Sequence, residues 1–367
     1  MNDTNINTAN NTAIDINPIP YLTWTWLKIN KDSVSYDFSL SENKGTDVQL
    51  PQGISVTDGK SVKTELPEPQ YAIGQEAAKL IFECAKDGKI YTITKDCSVE
   101  AKPLIIRINN DKNSATHQII HALAGTISNI IIVYEGGSES ENTLSGVLTK
   151  IYAEDDALVN ISKVQLCGKY VNQIDETAVV CGQRAKVNFT QIEVGGSHVD
   201  AGFHATLDGY QSAFYSDTAY ICQNNQYLDM NQVVVHNGKK TVCDMKTHGT
   251  AKDESTKTYR GTIDMVKGCA GSVGNEIETT LLLSPKAIVK AAPIILCGEE
   301  DISAEHGSTI GKLSNDILFY MNSRGIDSQK AEALLTRAKI SACAANIPDQ
   351  AVCEEINQWL NKELGED

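Results

Sequence analysis

Residues 153–166 read AEDDALVNISKVQL, residues 182–194 read GQRAKVNFTQIEV, and the two overlie at an offset of 28. In that alignment Val159, Asn160, Ile161, Ser162, Lys163 and Val164 fall on Val187, Asn188, Phe189, Thr190, Gln191 and Ile192. A looser third copy, GYQSAFYSDTAYI (209–221), follows at nearly the same interval. Each copy is a polar turn followed by apolar residues alternating with polar ones, the period of a strand. A repeat of this size in β-rich sequence without helices predicts either a stacked solenoid or a sandwich. A sandwich would place Pro/Gly-rich turns at roughly 8–12-residue spacing with no constant offset. A solenoid must turn its corners at the same place in every coil, so it accounts better for the recurring turn. The expectation is a mainly β chain, a parallel β-helix.

Outward from the repeat, short β-rich runs such as Leu104–Ile108, Ile130–Tyr134 and Thr262–Val266 fill residues 90–313. Beyond them the period becomes helical. Ser314 and Asp327 are positioned as N-caps, Gly325 stops the first of these helices, and Pro348 opens a third. A helical appendage of this kind covers a solenoid's open edge or presents a surface to a partner. Upstream, YAIGQEAAKLIFECAK (71–86) reads as a helix with Ala77, Leu80, Ile81 and Cys84 on one face. Trp24 and Trp26 suggest an N-terminal segment docked on the domain. Residues 1–16, rich in Asn and Thr, read as a disordered tail. The expected organisation is tail 1–16, an N-terminal region 17–89 with one helix, the β-helix 90–313 and C-terminal helices 314–367.

Composition bounds the function. Against 32 Lys and Arg stand 47 Asp and Glu in 367 residues, a net charge of −15, which argues against a nucleic-acid track and an anionic membrane surface. No apolar run approaches the roughly 20 residues of a bilayer span. The first residues have no basic region or apolar stretch, so a cytoplasmic location is expected. The 10 cysteines include no C-x-x-C pair, which removes zinc-ribbon, thioredoxin-like and ferredoxin-type readings and leaves core packing for most of them.

His117 and His121 stand four apart without the Glu a zincin needs, so they read as ordinary strand histidines. The acids at Asp155-Asp156 and Glu299-Glu300-Asp301 invite comparison with sugar-cleaving β-helices, but they sit in turn-like sequence, and 6% aromatic residues offer little sugar platform. No nucleotide, dinucleotide or nucleophile-elbow motif occurs.

The informative stretch is TYRGTIDM (258–265), NEIETTLLLSPKA (275–287), DISAEHGSTIGKL (301–313) and NDILFYMNSRGI (315–326). Glu305 beside His306 offers mixed oxygen and nitrogen donors suited to iron or a related metal. Gly307 and Gly311 would let a partner approach closely. Together these blocks resemble the SufB/SufD family, the scaffold proteins of the SUF iron–sulfur cluster assembly system. The F/Y-R-G strand, L-L-L-S strand, S-H-G-A-T-like turn and L-F-Y-L-x-S-R-G-I helix occur in the family's order over about residues 200–345. The Pro20–Lys28 opening and the L-L-L-S form resemble SufD more than the longer SufB.

The resemblance implies a right-handed parallel β-helix flanked by helical regions, and a non-catalytic scaffold. It implies pairing with a SufB-like chain through the β-helices, docking of a SufC-like ATPase on the C-terminal helices, and an iron or iron–sulfur cluster held transiently at the subunit interface. A SufB/SufD-like homodimer is the alternative, and a β-helical carbohydrate enzyme a remote one. His306 matches the SufD histidine at that interface, and Glu305 resembles the SufB arrangement. Ala304 replaces the cysteine that some SufD chains carry two residues before the histidine, and Gly307 replaces the second SufB Glu. The Glu278 strand replaces the one bearing SufB's essential cysteine. Cys297 is a further candidate ligand, although an inward strand position is expected for it. Phe319, Tyr320, Arg324, Gly325 and Ile326 are the expected partner-binding residues, with Arg324 and the exposed face of 328–339 toward the ATPase. For Phe319, Tyr320 and Arg324 the competing expectation is packing against the β-helix end.

Overall fold

The computed structural model describes residues 13–21, 25–36, 39–43, 46–47, 50–58, 66–85, 88–94, 102–138 and 140–365. It begins with β1 (Ala13–Ile16), β2 (Asp32–Ser35), β3 (Ser41–Glu42), β4 (Thr46–Asp47), β5 (Ile54–Asp58) and helix α1 (Gln75–Cys84). Two sheets then build up alternately along the chain. The first holds β6 (Lys89–Ile93), β8 (Ser114–Ala122), β10 (Thr143–Ala153), β12 (Val171–Cys181), β14 (His198–Leu207), β16 (Tyr227–His236), β18 (Thr256–Met265) and β20 (Ile288–Cys297). The second holds β7 (Leu104–Asn109), β9 (Ile127–Glu135), β11 (Leu158–Gln165), β13 (Lys186–Glu193), β15 (Ala213–Cys222), β17 (Val242–Ala251), β19 (Ser272–Leu282) and β21 (Ile302–Lys312). Helices α2 (Asn315–Ser323), α3 (Ser328–Ala344) and α4 (Gln350–Leu364) follow.

Within each sheet β8–β21 pair in parallel with the strand two earlier, giving a parallel β-solenoid of about seven turns. The register of β11 on β13 places Val159 on Val187, Asn160 on Asn188 and Ile161 on Phe189, so the repeat read in the sequence is the rung of the coil. The recurring turn has a backbone cause. Asp156, Arg184, Gln211 and Lys240, one in each successive coil, are left-handed at φ 62°, 54°, 58° and 55°. Their N–H groups donate one rung up, Asp156 to Gln183 O at 2.8 Å, Arg184 to Tyr210 O at 2.8 Å and Gln211 to Lys239 O at 3.0 Å. Each corner is thereby templated by the next. On the outer face Asn188 donates to Asn160 at 2.6 Å and Asn160 to Asn129 at 2.9 Å, extending the stack into side chains.

The interior is filled from both sheets by residues such as Ile132, Ile151, Val179, Val234 and Ile263 and by the Phe189, Phe203, Phe214 cluster. Cys167, Cys181, Cys222, Cys243, Cys269 and Cys343 are buried, as the core reading expects, while Cys97 lies outside the described residues. Two further layers cover the sheets from outside. Ala77, Ala78 and Ile81 of α1, with Ile14, Ile16 and Val34, pack on Leu144, Leu148, Ile174 and Ala178 of the first sheet. Ile340, Cys343, Val352, Ile356 and Leu360 of α3 and α4 pack on Val164, Ile192, Ala219 and Ile221 of the second.

Three expectations need correction. Residues 13–16, read as tail, form β1, because Ile14 and Ile16 bury against the outer face of the first sheet; residues 1–12 lie outside the described residues. Trp26 is exposed, so the N-terminal segment docks through Ile14, Ile16, Ile19, Ile29 and Val34 instead, and Trp24 lies outside the described residues. Pro348 does not open α4: Asp349 caps it, its carboxylate accepting from Val352 N at 3.0 Å. Ser314 and Asp327 do cap α2 and α3. Among the described residues no helix is long and apolar enough to cross a membrane.

The burial of ionisable groups gives stability a pH dependence. Burial pushes the carboxyls of Glu176, Glu193 and Glu276 each up to about 8, so the fold keeps protons that the unfolded chain has released. Burial lowers His117, His204 and His236 each to about 4, which works in the opposite sense below their ordinary value of 6.5. The opposing sets offset each other between about pH 4.5 and 6.5, and above that the carboxyls act without the histidines. Stability should therefore fall as pH rises from 6.5 to 8, by up to about 1.4 kcal/mol per pH unit for each retained proton. Urea unfolding of Glu193→Gln should show a shallower fall; an unchanged slope would mean that Glu193 is already ionised in the fold.

Candidate functional site

Among the described residues the solenoid ends on two strands with no further strand stacked on them. Among the described residues β20 pairs only with β18 and β21 only with β19, so both leave one edge unpaired. Along β21 residues 305–310 are all exposed. His306 lies on this edge opposite Glu276, and Ser308 lies opposite Glu278. Ser308 Oγ donates to Glu278 Oε2 at 2.6 Å, so this parity of β21 faces the interior and His306 shares it. Glu305, one residue earlier, takes the outer face.

Beneath His306 the interior is polar. Lys257 Nζ lies 2.7 Å from Glu278 Oε1, both side chains fully buried, and over the rings of Tyr220 and Tyr259 at 5.0 and 4.8 Å. Thr280 donates to the same Glu278 oxygen at 2.5 Å, with the Tyr220 hydroxyl at 2.5 Å from Thr280. Burial would raise the Glu278 carboxyl, but the Lys257 charge outweighs it and holds the group below its ordinary value. Glu276, beside the Tyr259 hydroxyl, has no such cation, and burial leaves it protonated near neutrality at about 8. A Cβ on Gly261 would meet the Glu276 carboxylate and the Tyr259 hydroxyl, so the glycine leaves the space that the Glu276 side chain occupies. The Tyr-Arg-Gly run thus works on two faces: Gly261 makes room for Glu276 inside, while Arg260 anchors the N-terminal segment outside. An imidazole on an open edge above an ionised and a protonated carboxyl supplies mixed nitrogen and oxygen donors and a proton store.

The other predicted residues separate. Cys297 is exposed at the C-terminal end of β20 in the other sheet, a correction to its expected inward position, because the strand ends there at Gly298. Cys297, Glu305 and His306 do not form a compact three-donor set; among the described residues that description fits Asp32, His198 and Asp200. Phe319 and Tyr320 are 76% and 60% exposed on α2, which buries no residue, so they do not pack against the solenoid end. The Arg324 guanidinium lies 5.4 Å from the Tyr320 ring centroid, and Gly325 at φ 81° turns the chain so that Ile326 N returns to Met321 O. Among the described residues neither histidine of the 117/121 pair belongs to a compact three-donor set, and His121 pairs with Glu154 at 2.7 Å. The acidic pairs tie turns together: Asp156 holds Arg184 at 2.6 Å, Asp155 accepts from Gln183 N, and Glu299 accepts from Gly268 N. Reading single residues misses Lys257, Glu276 and Ser308, and the 28-residue offset does not recover them, because the last rung is two residues longer and stacks 276 under 306 and 278 under 308.

Residues 105–339 match the SufBD core domain of SUF system FeS cluster assembly, and the chain belongs to that family, which takes part in iron–sulfur cluster assembly. It is 25% identical over 273 residues to a chloroplastic iron–sulfur cluster assembly SufBD family protein of Arabidopsis thaliana, covering 68% of this chain and 48% of that one. It is 21% identical over 282 residues to the iron–sulfur cluster assembly protein SufD of Bacillus subtilis, covering 76% and 64%. Against a SufBD family protein of Pyrococcus horikoshii the figures are 23% over 265 residues, covering 72% and 56%. The chain spans about half to two thirds of the length of these relatives.

Proposed function

We propose that this chain is a SufD-like, non-catalytic scaffold subunit that pairs with a SufB-like chain and docks a SufC-like ATPase. The carrying observation is the pair of unpaired edges on β20 and β21, up to 11 residues long, at the rung that bears His306. Long open edges are templates for strand addition, and soluble chains normally cover or charge them. A partner strand added there would place its own donors across from His306 and Glu305, and iron or a nascent cluster would be cargo at that seam. The open space around Gly307 and Gly311 favours such close approach. Cys297, exposed on the neighbouring edge, would add a further donor once a partner is seated.

For the ATPase, exposed Phe319 and Tyr320 with Arg324 beside them form an aromatic and cationic patch of the kind that carries interface energy. Gly325 and Ile326 set its turn, and the exposed face of 328–339 extends it. A homodimer through the same edges is the second reading, favoured because the edge is self-complementary in kind and needs no special sequence. The turn-capping roles of Asp155, Asp156 and Glu299 speak against a sugar-cleaving reading. A cytoplasmic location is part of this proposal, alongside the chloroplastic relative of Arabidopsis. In calorimetric titration, Arg324→Glu should weaken the SufC-like ATPase by roughly tenfold, the scale of one lost interface contact. Unchanged affinity would move the docking surface off α2.

A further inference from the structure

We propose that Asp32, His198 and Asp200 form a divalent-cation site that clamps the N-terminal hairpin to the outer face of the first sheet. His198 Nε2 lies 3.5 Å from Asp32 Oδ2 and 3.3 Å from Asp200 Oδ2, and one ligand atom of each residue lies within 4.8 Å of the others. Asp32 comes from β2 and the other two from β14, more than 160 residues away in sequence, so the set exists only when the hairpin is docked. Asp200 is fully buried on this outer face; its Oδ1 has no hydrogen-bond partner, an arrangement that buried carboxylates avoid unless a cation completes them. Tyr36 and Tyr227 flank the imidazole, their rings 6.0 and 4.4 Å away.

Charge points the same way. Asp229, also fully buried, adds a third carboxylate, and Arg260 is the guanidinium that faces the three of them. Three negative charges against one positive leave a deficit of two, which a divalent ion would fill and an imidazolium on His198 would fill only by half. One imidazole with two carboxylates suits manganese, iron or zinc, with oxygen as the majority donor. His198 and Asp32 keep 28% and 21% of their side-chain surface exposed, so an ion has an entry path. This site is on the opposite face of the sheet from the interior beneath His306, and its test needs no SUF partner.

The test is a titration of the chelator-treated full-length chain with Mn2+, which favours oxygen and nitrogen over the chain's thiols, followed by electron paramagnetic resonance. The expected result is one saturable Mn2+ with a nitrogen coupling from imidazole, weakened roughly tenfold or more in Asp32→Asn and in His198→Ala but retained in His306→Ala. Asp32 sits at the partly exposed rim, so its amide variant keeps the hairpin folded should the His198 change disturb it. Absence of saturable binding, binding without nitrogen coupling, or equal affinity in Asp32→Asn would each overturn the proposal. Loss in His306→Ala with retention in Asp32→Asn would place the ion on β21 instead.

Discussion

Replacing His306 by Ala should lower the rate of cluster assembly in a reconstituted system while leaving the fold unchanged. The residue is exposed on an edge strand, where substitutions ordinarily change stability by no more than about 0.5 kcal/mol. The floor below it stays intact, because Glu278 keeps Lys257, Thr280 and Ser308 as partners. What is lost is a nitrogen donor at the proposed seam. Removing even an outer-shell partner of a metal costs roughly 10–100-fold in affinity or activity, and a direct donor should cost at least that. Normal assembly with Ala at 306 would end the claim for this edge as the cargo site, whatever its role in pairing.

Arg260→Met should destabilise the chain by about 3–5 kcal/mol, the range for breaking a buried pair from one side. The guanidinium is 1% exposed; it pairs with Asp229, and its Nε donates to Ile29 O at 2.6 Å. Asp229 also accepts from Asn17 Nδ2 at 2.8 Å, so one buried pair holds both sides of the β1–β2 connection to the first sheet. With Met at 260, Asp229 stays buried without the guanidinium that pairs with it. Adding Asp229→Leu should recover most of the loss, since the uncompensated charge is the larger part of it. Urea unfolding reads the sizes, and amide exchange of residues 13–35 reads the location. A loss below about 1 kcal/mol for the single variant would mean that water reaches and solvates Asp229.

The solenoid was legible because its information is local and periodic. An offset of 28 residues carries strand, corner and register at once, and the pairing of Val159 with Val187 is the same fact in space. The C-terminal helices were legible through Ser314, Gly325 and Asp327, each a cap with a one-turn reach. Pro348 misled by two residues because a proline also sits comfortably before an N-cap. The N-terminal segment was not legible: its address is written in single contacts, Asn17 to Asp229 and Arg260 to Ile29, separated by 212 and 231 residues. No spacing rule joins such pairs. The same holds for Asp32 with His198 and Asp200, and for the buried charges under His306, which read as surface residues one at a time. Cys297 shows the reverse failure, since its parity points inward but the strand ends at its own position.

Strand addition at the open edge can be read by co-purifying the tagged intact chain with untagged SufB-like and SufC-like proteins of the same genome, beside an Ile310→Lys variant. Cutting the chain after Leu313 would be a poor comparison, because it strips α3 and α4 from Val164, Ile192 and Ala219 and exposes an apolar face. Ile310 is 45% exposed on β21, and a lysine on an edge strand disfavours strand addition without touching α2. The intact chain should retain both proteins, and the variant should keep the ATPase but lose the SufB-like chain. Retention of neither by the intact chain would contradict the proposed function, leaving the family's fold without the family's assembly.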